Sequence, residues 1–319
     1  MLRRRLFLVA ALAGLPGCMR AAEPGPLARP IGLPALPPTA PLRLLGGLRV
    51  DTGQLGFGGL SGLHLAPDLT LTVISDLSRH AAMRLALDSD LRPTGLTLLR
   101  HGPLRDGAGH PLPRGHAGDA EALARLPDGT WLVAFERWHR IRAYGDLDGP
   151  GRYVEAPPGI ERAPANGGLE SLAVLADGRW IAMAEELPPG LDSSVTTGWI
   201  RGAAGGWRPF GYRPAPDHVP VDLAALPDGG VLVLERSFSL FRGFSGRLAR
   251  LSAAQIADPR PGMAVQAATL LPLTAPLPTD NYEGLAVLDH DGRLLVAMIS
   301  DDNENRLQET LLLLFELQR

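Results

Sequence analysis

Acidic and amide side chains recur at matching places along this 319-residue chain, each time at the end of an apolar run. Glu121 opens EALARLPDGTWLVAFER, Glu170 opens ESLAVLADGRWIAMAEE, and Glu283 opens EGLAVLDHDGRLLVAMISDDN; copies without the leading Glu begin at Ser61 and Val221. In four copies the two apolar runs flank Asp128-Gly129, Asp177-Gly178, Asp228-Gly229 or Asp291-Gly292, the turn chemistry of a strand hairpin. The start of a hairpin's first strand and the end of its second lie at the same end. Glu121 should therefore share a rim with Glu136, Glu170 with Glu185, Asp222 with Glu235, and Glu283 with Asp301. Asp119, Asn166, Asp280 and Asn281 lead into first strands, while Asp76, Arg79, Arg137, Arg236, Asp302 and Asn303 follow second strands. Oxygen donors gathered without His or Cys suit a hard divalent cation such as calcium better than zinc. Asp76, Asp119, Glu121, Asp280, Asn281, Asp301, Asp302 and Asn303 are the candidate ligands. Arg79, Arg137 and Arg236, with Asn166, are candidate contacts for an anionic or ester substrate, since guanidinium groups clasp phosphate or carboxylate bidentately. Turns and strand-end ion pairs use the same residue types. What sets this pattern apart is a Glu at one offset in three of five copies, which turn chemistry does not demand.

The copies start 60, 49, 51 and 62 residues apart, and a hairpin repeated at that period signals a β-propeller. Two more strand-like runs follow each of the first four hairpins: Met83–Leu87 and Gly95–Arg100, Arg140–Tyr144 and Arg152–Ala156, Gly198–Gly202 and Trp207–Arg213, Gly246–Leu251 and Ala268–Leu273. After the last hairpin only Thr310–Leu317 remains, so Pro41–Asp51 is expected to supply the missing strand and close the ring by pairing the two chain ends. The reading is all-β: a single propeller over residues 41–319, five blades of four strands, with a sixth open if Ser252–Asp280 holds more structure. The first strand of each blade lines a central channel, so the acidic rims should converge at its mouth. The 38 Gly and 30 Pro, without a collagen-like period, fit a turn-rich β domain.

Arg3-Arg4-Arg5 precedes an apolar run, Leu6–Leu15, too short to span a bilayer but of the length of a secretory signal core. Residues 4–8 resemble a twin-arginine signal and Leu15-Pro16-Gly17-Cys18 a lipobox, so residues 1–18 are read as an export signal. Periplasmic localisation is expected, with an outer-membrane tether if Cys18 is lipidated; a plain signal cleaved near Ala21 is the alternative. Cys18 is the only cysteine, which excludes disulfides and Cys-based metal sites. Residues 19–40, Pro- and Ala-rich without periodicity, read as a linker. Without residues 1–18, which hold three Arg and no acid, 28 Arg face 34 acids, a net charge of −6 that argues against a nucleic-acid partner. A monomer is expected.

Arg100-His101-Gly102 and His290-Asp291 superficially match motifs of histidine acid phosphatases, but the spacing and the all-β pattern do not. No nucleophile elbow, Walker loop or dinucleotide fingerprint is present. GGLSGLHL, ISDLSR, DAEALARLPDG, NGGLESLAVLADG, VLERSF, DNYEGLA and SDDNENRLQET, in that order over about residues 45–317, resemble the bacterial phytase-like family, also called esterase-like activity of phytase. The resemblance implies an exported β-propeller associated with phosphoester or ester hydrolysis. It carries site roles to Glu170 and Glu283, as general base or metal ligand, and to Asp280, Asn281, Asp302 and Asn303. Two motifs depart from the family pattern: Asn303 precedes Glu304 rather than an aromatic, and Val221-Asp222 stands at the Glu position. The expected function is metal-assisted hydrolysis of phosphoesters or other esters at the channel mouth. The alternative is a non-catalytic envelope-binding propeller, with glycan, peptide or protein ligand and a structural calcium site.

Overall fold

The computed structural model describes residues 25–305 and 308–318. The signal segment, with its twin arginines and Cys18, lies outside the described residues. Strands β1 (Ala28–Ile31) and β2 (Leu42–Val50) come first. Blade I follows with β3 (Leu60–Leu65), β4 (Thr70–Ser75), β5 (Arg79–Leu87) and β6 (Pro93–Pro103). Blade II holds β7 (Ala120–Arg125), β8 (Trp131–Phe135), β9 (Arg140–Tyr144) and β10 (Arg152–Val154). Blade III holds β11 (Leu169–Val174), β12 (Trp180–Ala184), β13 (Thr196–Arg201) and β14 (Trp207–Tyr212). Blade IV begins with β15 (Val219–Ala225), β16 (Val231–Ser239) and β17 (Gly243–Leu251). The chain then lends β18 (Ala264–Val265) to the edge of blade III and completes blade IV with β19 (Ala268–Leu273). Blade V consists of β20 (Tyr282–His290), β21 (Arg293–Ser300) and β22 (Thr310–Leu317), completed by β2.

Five blades are therefore present among the described residues, and Ser252–Asp280 supplies two edge strands rather than a sixth blade. The ring closes as expected, β2 pairing with β22 from Leu42 opposite Leu317 to Val50 opposite Thr310. One expectation is corrected: the segment read as a linker contributes β1, which pairs outside β2 and makes blade V five-stranded. The Asp-Gly turns are as read, with Asp128, Asp177 and Asp228 each accepting the backbone N–H two residues on, at 2.9, 3.1 and 3.0 Å.

The innermost strands β3, β7, β11, β15 and β20 each neighbour the next, and β20 returns to β3. Alternating residues put apolar side chains between blades, and each of the five gaps has its own cluster. Leu48, Leu60, Val73 and Leu312 fill the gap between blades V and I, and Ile74, Leu123, Val133 and Phe135 that between I and II. Leu132, Leu172 and Trp199 join II to III, Ile181, Phe210 and Val233 join III to IV, and Leu234, Val296 and Phe315 join IV to V. With each side chain contributing about 1.5–3 kcal/mol on burial, the ring is held by these gaps more than by any one sheet.

Asp222 adds a polar link between blades IV and V. Fully buried, it accepts the N–H of Leu223 at 2.7 Å and of Leu285 at 2.6 Å. Asp222 and Glu235 do share one end of their hairpin, but neither joins the acidic mouth. Glu235 is also buried, accepting from Tyr212, from Arg247 Nε at 2.6 Å and from the Ala215 N–H at 3.0 Å. Replacing Asp222 by Ala orphans two buried N–H groups and should destabilise the fold by about 2–4 kcal/mol in urea unfolding, with Asp222→Asn, which keeps one acceptor, milder.

Candidate functional site: an acidic channel mouth

Glu121, Glu170 and Glu283 owe their common offset to a common backbone device. In β7, Ala120 pairs with Phe135 and Ala122 with Ala134, leaving Glu121 as the extra residue of a β-bulge. Glu170 between Leu169 and Ser171, and Glu283 between Tyr282 and Gly284, occupy the same place in β11 and β20. Bulges interrupt pairing and redirect side chains at strand ends. In blade IV the position falls to Val221, whose side chain joins the core between blades IV and V.

Around the bulge glutamates gather residues from four blades. One carboxylate oxygen each of Asp119, Glu121 and Glu136 lie within 4.8 Å of one another, and so do those of Glu136, Glu170 and Glu185. Glu136 belongs to both groups, and its Oε1 accepts the Gly168 N–H at 2.6 Å. Asp119 bonds to Glu121, and Glu136 to Glu170, carboxyl to carboxyl. Asp76 and Asp301 complete the cluster from blades I and V, each feeling the charge of Glu283. Gly59 makes room for Asp76, since a Cβ there would fall 1.9 Å from Asp76 Oδ1 and its φ of +63° disfavours other residues.

Two arginines enter this cluster and both are engaged. Arg236 donates to Glu283, to Asn281 Oδ1 at 2.8 Å and to Glu185 Oε1 at 2.8 Å, tying blade IV to blades III and V. Asn281 Nδ2 also donates to Glu283 at 2.9 Å. Arg137 Nε lies 2.5 Å from Asp119 Oδ2. Arg79, the third arginine singled out from sequence, lies with its guanidinium carbon 5.1 Å from the centre of the Phe57 ring, and its buried Nε has no partner among the described residues.

Eight carboxyl groups thus share one mouth: Asp76, Asp119, Glu121, Glu136, Glu170, Glu185, Glu283 and Asp301. Burial raises all of them above their ordinary range. Asp76 and Glu185 reach about 7 and Asp301 about 8, while Glu121 and Glu170 are pushed well up by burial and then by surrounding carboxylates. Arg236 works against this at Glu283.

Other residues singled out from sequence lie elsewhere. Asp302 is corrected from candidate ligand to loop anchor: it accepts from Thr52 Oγ1 at 2.9 Å, from the N–H of Gly59 at 3.2 Å and Glu304 at 3.0 Å, and from Thr310 Oγ1 at 3.3 Å. Asp280 turns to its own loop, accepting the Asn281 N–H at 2.8 Å, and burial lifts it to about 6. Asn303, exposed at φ +48°, bonds to Gln308 at 3.2 Å, and Asn166 is exposed in the loop before β11. Conversely, Glu136 and Glu185, rim positions to which the sequence assigns no ligand role, are central. Their signal was the shared spacing, each fifteen residues after its bulge glutamate.

The fold and site define a five-bladed β-propeller with an acidic mouth at one end of its channel; the other end is lined by residues 63–65, 123–125, 172–174, 223–225 and 285–287 of the innermost strands, His64 and Arg125 among them. The chain belongs to the phytase-like family, described as esterase-like activity of phytase, which matches residues 55–304. No curated protein matches the sequence. Among solved structures, a thermostable family-43 glycoside hydrolase aligns with TM-score 0.49 at 8% identity, covering 82% of this chain and 89% of that one. A protein of unknown function from Dyadobacter fermentans aligns at 0.44 and 13%, covering 92% and 100%, and virginiamycin B lyase from Staphylococcus aureus at 0.40 and 12%, covering 85% and 78%. Likenesses this distant carry no argument about chemistry.

The raised carboxyls set the pH dependence of stability. A carboxyl whose pKa is higher folded than unfolded holds its proton better in the native state, so its contribution is present at low pH and is lost as pH rises through the folded value. Without divalent cations, stability should therefore fall from about pH 4 to about pH 8, by up to about 1.4 kcal/mol per pH unit for each group titrating. Thermal unfolding in chelator from pH 5 to 8 checks this, with a falling midpoint expected.

Proposed function

We propose that the protein is a hydrolase of phosphoesters or other esters that works at the acidic mouth with a divalent cation, for which calcium suits an all-oxygen donor set. The observation that carries this reading is Glu170. It is only 8% exposed, its carboxylate meets Glu136 and accepts from no N–H donor among the described residues, and Arg236, the nearby cation that feels its charge, bonds to Glu185 and Glu283 instead. Such a group must hold a proton or a cation. Glu136, Glu170 and Glu185, with Asp119 and Glu121, are the residues that would hold the cation. When bound, it would polarise the scissile group and ease deprotonation of water.

The remaining residues divide the proton work. Glu283, which Arg236 and Asn281 hold toward the charged form, takes the proton of the attacking water. Asp301 and Asp76, raised to about 8 and about 7, carry a proton near neutral pH and return it to the leaving oxygen. With Arg137 and Arg236 engaged, Arg79 is left to hold the anionic part of the substrate. Export to the periplasm, a lipid tether at Cys18, a monomeric state and the absence of a nucleic-acid partner complete the proposal. That both mouth arginines are already paired with carboxylates also favours a second reading, a binding propeller in which the cation is structural.

Elemental analysis and calorimetry on wild type, Glu170→Gln and Glu283→Gln, with a screen of phosphate and carboxylate esters, separate the two. Glu170→Gln should weaken cation affinity about tenfold or more, whereas Glu283→Gln should retain the cation and lose about 10²-fold in kcat. A folded protein that gains thermal stability from calcium but hydrolyses no ester under any divalent cation would overturn the hydrolase and leave the binding propeller.

A further inference from the structure

Beside the acidic mouth, on blade II, the chain builds a second concavity of about 480 Å³. Trp138 and Tyr153 stand in it with 48% and 65% of their surfaces exposed, Ala156, Pro157, Pro158 and Ile160 complete its apolar lining, and His116, Arg137, His139 and Glu161 supply its polar side chains. Of the five tryptophans, Trp138 alone is not buried.

Both walls are pinned from beneath. Arg140 is fully buried, forms no ion pair among the described residues, and places its guanidinium carbon 4.1 Å from the centre of the Phe135 ring and 4.7 Å from that of Trp138. It donates to the Trp138 carbonyl at 2.8 Å and to that of Ala117. A buried cation without a counter-ion is costly, and what this one achieves is to fix an exposed indole. In the same lining, the proline loop is held by the indole N–H groups of Trp199 and Trp207, which donate to the carbonyls of Pro158 at 3.2 Å and Glu155 at 3.1 Å. An aromatic face kept rigid and half in water loses little entropy on taking a ligand.

The cation under Trp138 also decides which ligand. It draws π density toward the buried face, leaving the open face poor in electrons. That face is then a weak partner for a cation or for the C–H groups of a sugar, and a good one for an electron-rich ring. Pro157 and Pro158 add flat apolar surface to the same lining. We propose that this cleft is a binding subsite for a planar, electron-rich aryl group. Arg137 lines the cleft and pairs with Asp119, so an aryl ring seated here would carry its substituent toward the carboxylates.

The test needs neither turnover nor a cation, so it stands apart from the hydrolase reading. Methyl 4-hydroxybenzoate is titrated into the full protein, followed by tryptophan fluorescence and by calorimetry. Methyl cyclohexanecarboxylate, of similar size but not flat, and methyl glucoside serve as competing probes. Saturable quenching by the aryl ester is expected, with calorimetric affinity lowered about tenfold in Trp138→Ala and largely kept in Trp138→Phe, which retains a ring. Equal thermal unfolding of wild type and Trp138→Ala would show that the loss is local. Equal or tighter binding of the cyclohexyl ester or the glucoside, or aryl affinity unchanged in Trp138→Ala, would overturn the proposal.

Discussion

Carboxylates cannot be brought together out of water unless something neutralises them, and most of this molecule can be understood from that constraint. Eight carboxyl groups meet at one end of the channel with two arginines among them. Coulomb repulsion and lost hydration both oppose the arrangement. It persists because the groups come from different blades, each fixed by the apolar gaps on either side. The backbone that carries each carboxylate cannot withdraw without moving its blade, and moving a blade would open a packed core.

The same side chain plays opposite parts depending on whether an N–H donor is within reach. Asp222 and Asp302 are saturated by backbone and hydroxyl donors, and Glu235 by Arg247 and its neighbours; these acids join blades or anchor loops. Glu170 meets another carboxylate instead, and Glu121 lies among like charges. Unmet acceptors of this kind are expensive in a purely structural role, which is why the cluster reads as a place for a cation. Arg236 is intermediate, since it stitches three blades together while keeping Glu283 toward its charged form.

The two features beside the channel are joined through blade II. The strand that carries Phe135 runs on into Glu136, Arg137 and Trp138, so one stretch of backbone supplies the shared carboxylate, the partner of Asp119 and the exposed indole. Arg137 adopts φ +53° at this turn, a conformation uncommon outside glycine, and its N–H bonds to the Ala165 carbonyl at 3.1 Å. A turn tied down in this way keeps the acidic and aromatic surfaces in fixed relation.

Local pattern was enough for the hairpins and the five-fold repeat, because alternation and Asp-Gly turns act within one hairpin, and the strand missing from the last copy pointed to the closing pair. It also singled out Glu121, Glu170 and Glu283, since a bulge repeated in three blades leaves a residue at a repeated offset. It hid β1, whose four residues, ARPI, carry no periodicity and form a strand only because β2 offers an edge. Sequence set Glu136 beside Glu121 and Glu185 beside Glu170 on one rim, but could not tell that Glu136 joins the two groups, or that Asp302 turns away to Thr52 and Gly59. Those outcomes depend on what the neighbouring blade or loop presents across the gap. A carboxylate at a strand end is specified by its own strand; its partner, and hence its charge and its role, is specified by the ring.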